Sequence, residues 1–207
     1  MVRKRSALFA GILLLSAFLC GCPKKIAKIP PVEAPPVRNP VAVLLEAFSA
    51  VESFESDASI RIDTVKKGEE SNYLLNGYIA YQKPDKLRIL AYHPFGMGLF
   101  DALYVEGNFF VLSVLDKKAF TGALSEFEDV IEEMGIQISA EKTMGSRVPT
   151  IIHIGVEKKE TRIDLRLKRV AIDSSLPKDS FQWLVPEGVD VQSLAQLLRP
   201  EKEALDF

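Results

Sequence analysis

Two cysteines and two histidines are the only thiols and imidazoles in the 207 residues. The thiols stand two positions apart, at Cys20 and Cys22 in SAFLCGC. Three chemistries fit that spacing: an unusually small Cys-Gly-Cys disulfide ring, half of a metal site, or a thiol that is modified. A zinc pair would need further ligands, and no later cysteine supplies one. His93 lies in the turn-like stretch AYHPFGMGLF, and His153 alternates with Ile152 and Ile154, which turns it outward from a strand and leaves it without a role. HExxH, GxSxG and a glycine-rich phosphate loop are all missing, and no helix follows Gly96-Met97-Gly98. The acids Glu126, Glu128, Asp129, Glu132 and Glu133 read as the solvated face of a short helix, placed toward its positive end, rather than as metal ligands. No enzyme, no metal and no cofactor are expected.

The cysteines gain meaning from what precedes them. Arg3, Lys4 and Arg5 lead into an apolar run over residues 7–19, broken only by Gly11 and Ser16. That run is shorter than the ~20 residues a spanning helix needs and has the form of a secretory leader. Leu19-Cys20-Gly21-Cys22 then resembles the lipobox of bacterial lipoproteins, with the small Gly21 directly before the cysteine that becomes diacylated. Cys22 is therefore the expected lipidation site, residues 1–21 the signal peptide, and Cys20 part of what is removed. In enteric bacteria an Asp after that cysteine holds a lipoprotein in the inner membrane; Pro23 stands here, which points to the outer membrane. Without the three leader cations the balance is 23 basic against 28 acidic side chains, and nothing in it suggests nucleic acid.

From Cys22 to residue 40 the chain carries six prolines and no apolar period, the composition of an extended tether. The folded domain is expected over residues 41–207. Asn39 and Pro40 supply an N-cap and a first helical residue for VAVLLEAFSAVESF, which carries Leu44, Phe48 and Val51 on one stripe. The period then becomes two. SIRIDTV, YLLNGYIAY, KLRILAY, LFDALYV, FFVLSVL and AFTGAL are separated by turn signals and read as an antiparallel meander. SEFEDVIEEMG is a short helix with Ser125 as its cap and Gly135 at its end. TIIHIGVEKK and TRIDLRLKRVAID are further strands, the second with a bulge near Lys168-Arg169 where the apolar face slips by one residue. FQWLVP reads as a last strand, and residues 191–198 as a final short helix. The fold class is mainly β with helices (α+β): a curved antiparallel sheet or half-open barrel, an N-terminal helix and a short lid helix.

Twelve Phe and five Tyr exceed what one small sheet face needs. They form either a dense core under the first helix or an apolar cavity that the helix closes. Phe95, between Pro94 and Gly96, poses a separate question, because a turn tip normally faces water.

The order of these segments, with GYIAYQKPDKLRILAYHPFG, LFDALYVEGNFFVLS and FQWLVPEGVDV, resembles the LolA/LolB lipoprotein-carrier superfamily over residues 45–195. The resemblance implies a half-open antiparallel barrel closed by helices around an apolar cavity. It implies a lipid-anchored receptor on the periplasmic face of the outer membrane. That receptor would take acylated lipoproteins from a soluble LolA-like carrier and insert them into the leaflet, acting as a monomer. Pro94, Phe95 and Gly96 match the protruding loop that LolB-like proteins use to reach the membrane. Expected cavity-lining residues are Leu44, Phe48 and Val51 on the helix. From the strands come Leu87, Ile89, Phe109, Val111 and Trp183. The chain departs from the family in having Trp183 as its one tryptophan. The competing expectation is an envelope assembly or stress-sensing lipoprotein whose barrel binds a protein partner or a different lipid.

Overall fold

In the computed structural model, residues 39–194 are described. The leader, Cys22, most of the tether and residues 195–207 lie outside the described residues. The first element is α1 (Pro40–Phe48), capped by the Asn39 side chain, which accepts from the Val41 N–H at 3.0 Å. Its stripe buries Val41, Leu44 and Phe48. The helix stops earlier than the apolar spacing predicts. Ser49 turns its hydroxyl and its N–H back onto the Glu46 carbonyl, a local bond that competes with helix continuation. Val51 is therefore buried from a loop and Phe54 from a strand.

The strands are β1 (Ser53–Lys66), β2 (Glu69–Gln82), β3 (Lys86–Tyr92), β4 (Gly98–Val105), β5 (Asn108–Ser113) and β6 (Lys118–Ala123). After α2 (Glu128–Met134) come β7 (Ile136–Glu141), β8 (Ile151–Val156), β9 (Thr161–Ile172) and β10 (Asp190–Ser193). They form one open ten-stranded sheet in the order β10-β6-β5-β4-β3-β2-β1-β9-β8-β7. Every pairing is antiparallel except β10 on β6, so the sheet is mixed rather than purely antiparallel. Apolar side chains from β1–β5 and β7–β9 join α1 in a single cluster, so the sheet curls its inner face around that helix. The fold is thus the open, curved sheet with an N-terminal helix and a short second helix that the sequence led us to expect.

The β9 bulge falls one residue later than expected. Asp57 pairs with Lys168 and Glu55 with Ala171, so Arg169 and Val170 together oppose Ser56. Arg169 adopts a left-handed φ of 51° there. The buried Ser56 hydroxyl closes the gap, donating to the Lys168 carbonyl at 2.7 Å and accepting from its N–H at 3.1 Å. The slip returns Val170 and Ile172 to the inner cluster.

Three expectations need correction. FQWLVP is not a strand: residues 174–189 run as an irregular strap over the outer face of the sheet. Arg88 on β3 donates to the Ser180 and Gln182 carbonyls at 3.0 and 3.4 Å, so a side chain takes the place of a ladder. Residues 191–193 pair as part of β10 instead of opening a helix; the remainder of that expected helix lies outside the described residues. The second helix is shorter than SEFEDVIEEMG, because Leu124–Glu126 forms a 3-10 turn and Phe127, not Ser125, is the N-cap. Gly135 ends α2 in the left-handed region at φ 63°, as its position predicts.

Candidate functional site

The inner face is a set of cross-strand rows that differ in burial. One row runs Ala140, Ile152, Leu165, Ile60 and Leu75 through paired positions on β7, β8, β9, β1 and β2. Its central three members are buried. Two residues further along lies Ile138, Ile154, Ile163, Ile62 and Tyr73, in the same strands and facing the same way. These four isoleucines are only half-buried, and Tyr73 is exposed. The row packs against the core cluster and is only partly covered. It is a contiguous apolar floor at the open end of the sheet, an arrangement uncommon on an unpartnered soluble surface.

Beneath α1 the interior is filled. The rings of Phe48, Phe54 and Tyr81 pack with centroids 4.8, 5.2 and 5.8 Å apart. Leu44, Phe48, Val51 and Leu87, expected to line a cavity, are buried members of this packed cluster. Ile89 and Phe109 are half-buried against its edge, and Val111 packs against a second cluster under α2, formed by Phe120, Phe127, Ile131 and Leu194. Trp183 does not face the interior. It packs on Phe110 at 4.9 Å, and Phe110 points away from its inner-face neighbours Phe109 and Val111. No strand parity existed to assign Trp183, since its segment is not in the sheet. The isoleucine row was missed because β7 was not recognised as a strand; the alternation Ile136, Ile138, Ala140 was its signal.

The turn between β3 and β4 projects its phenylalanine. Phe95 is 93% exposed, at the tip. The turn is closed from within: the His93 N–H donates to the Met97 carbonyl at 2.8 Å and the Gly96 N–H to the His93 carbonyl at 2.7 Å. Gly96 takes φ 88°, a conformation a side chain would strain. The His93 ring lies 5.0 Å from that of Phe95, and its Nδ1 accepts from the Phe95 N–H at 3.3 Å. Phe95 therefore stands out from a self-contained turn and does not fold back on the sheet edge.

Several polar groups elsewhere are engaged in structure. On the outer face His153 sets Nδ1 2.6 Å from Asp164 and Nε2 3.1 Å from Glu141. Burial disfavours the Asp164 carboxylate, but the hydrogen bonds and charge of His153 and Arg162 prevail and hold its pKa below the usual range. Arg88 grips Asp101 through two bonds of 3.0 and 2.6 Å beneath the strap. Tyr78 is pushed up to about 12 by burial and by its hydrogen bond to Glu55. Among the described residues no group of three or more His, Cys, Asp or Glu could hold a metal ion. Two clefts, of about 660 and 520 Å³, flank the apolar interior without entering it. The larger, at the far end of the β1–β2 and β8–β9 hairpins, is lined by charges including Arg61, Asp63, Glu157 and Arg162.

No family model matches the chain, and no curated protein matches it. Among solved structures it is similar to a LolA superfamily protein from Nitrosomonas europaea, with TM-score 0.42 and 10% identity over 71% of this chain and 99% of that one. A putative outer membrane lipoprotein-sorting protein domain from Vibrio parahaemolyticus has TM-score 0.36 and 7% identity, covering 69% and 95%. An uncharacterized conserved protein from Thermus thermophilus has TM-score 0.39 and 10% identity, covering 71% and 97%. These are distant likenesses of fold, and they carry no functional argument.

Proposed function

We propose that the chain is a lipid-anchored envelope protein that binds acyl chains on its inner sheet face. In this reading it receives acylated lipoproteins from a soluble carrier and inserts them into the outer membrane, with Cys22 as the anchor. One observation supports the acyl-binding reading: the row Ile138, Ile154, Ile163 and Ile62, apolar and continuous with the core yet only half-buried. Hydrocarbon laid on such a floor is stabilised by roughly 25 cal/mol per Å² removed from water, and transfer needs no covalent step. The hydrocarbon site is thus the open end of the face rather than a hollow under α1, where Phe48, Phe54 and Tyr81 already fill the space. Phe95, at the tip of its turn, meets the bilayer. A Phe side chain that enters the interface gains roughly 1.5–3 kcal/mol.

The test is uptake of a fluorescent acylated peptide by the purified full chain, with native mass spectrometry for co-purified lipid. Ile154→Glu should abolish uptake while the circular-dichroism spectrum is kept. No bound lipid and no uptake by the unaltered chain would overturn the reading. The filled half under α1 would then favour an assembly or stress-sensing lipoprotein with a protein partner.

A further inference from the structure

We infer that Val114 and Leu115, on the turn between β5 and β6, are a second membrane-entering tip beside Phe95. This inference rests on the membrane role proposed for Phe95 and extends it from one insertion point to two. The turns are neighbours at the same end of the sheet. The Val114 N–H donates to the Leu99 carbonyl at 2.9 Å, and a Cβ placed on Gly98 would meet Val114 Cγ2 at 3.9 Å. Leu115 is 63% exposed, and Val114 and Met97 are also exposed. They are projecting side chains on separate turns, a shape suited to a deformable apolar medium more than to a complementary protein surface.

The polar groups agree with that occupant. The 93–97 turn satisfies its own backbone bonds. In the second turn the acid Asp116 is held back by the Ser113 hydroxyl at 2.6 Å, while Lys117 and Lys118 follow it directly. Lysines behind an apolar tip reach lipid phosphates while their stems stay in the interface. Adjacent antiparallel hairpins set their turns ~10 Å apart, so two tips restrict rotation that one alone would permit. The open end of the isoleucine row lies at this same end of the sheet, so two-point docking turns that floor toward the leaflet.

The test uses three variants of the full chain in vesicles of phosphatidylethanolamine and phosphatidylglycerol: Phe95→Trp, Leu115→Trp and Met144→Trp. Met144 is fully exposed on the β7–β8 connection, at the opposite end, and the native Trp183 on the outer face supplies the background signal. The expected result is a blue shift and quenching by brominated lipid for the first two variants and neither for Met144→Trp. Quenching at 95 with none at 115 would overturn the second tip while leaving the first. Quenching at neither would overturn both, and equal quenching at all three would show adsorption without orientation, which also overturns the inference. A further readout guards against misfolding: Leu115→Ser should keep its thermal midpoint yet slow delivery of a labelled lipoprotein.

Discussion

Ile60 and Ile62 stand two residues apart on β1, face the same way, and pair with isoleucine or leucine on β9. Ile60 is 1% exposed and Ile62 is only half-buried. Residue type, strand and face are therefore equal, and the difference comes from what lies above. The Ile60 row sits within reach of α1, and Gly77 beside it leaves room for the Ile60 side chain, whose Cδ1 would lie 2.7 Å from any Cβ at that position. The Ile62 row packs against the same cluster but is only half-buried. One sheet face thus holds a buried core row and, beside it, a half-buried apolar floor.

The sharpest way to break that division is to weaken the covered half. Phe48→Ala removes the ring that joins Phe54 and Tyr81 and should cost about 3–5 kcal/mol, read as a lower urea midpoint. Ile60→Ala should cost about 2–5 kcal/mol against about 1 kcal/mol for Ile62→Ala, whereas peptide uptake should respond in the opposite order. Equal stability losses at the two positions would erase the distinction. A smaller effect concerns the outer face. The Asp164 pKa is lowered on folding, so its carboxylate adds stability above the unfolded value of about 4, lost as pH falls through the folded value. Asp164→Asn should flatten that acid limb in a pH series of thermal midpoints. The smallest change in stability belongs to Phe95→Glu, within about 0.5 kcal/mol, because the side chain touches little but His93. Membrane delivery should nonetheless fall, and unchanged incorporation of labelled lipoprotein into liposomes would count against its role.

Local chemistry was legible where a neighbouring residue decides it. Asn39-Pro40 began the helix, Gly135 ended one, and the turn signals between the strand segments correspond to the turns at Lys67-Gly68, Glu106-Gly107 and Asp116-Lys117. The one-residue slip in RLKRVAI disclosed the β9 bulge to within a residue, because strand parity makes a misplaced apolar side chain visible. Trp183 was misplaced for the converse reason. Apolar residues in FQWLVP look alike whether they sit in a ladder or lie across one, and only the Arg88 bonds to Ser180 and Gln182 distinguish the two.

The amino-acid order by itself determined the alternation, the turns and the Asn39 cap, since each depends on contacts a few residues apart. Which apolar rows are filled and which stay open was decided by the tertiary structure alone. That depends on strands distant in sequence coming into register, which is not encoded in any local window.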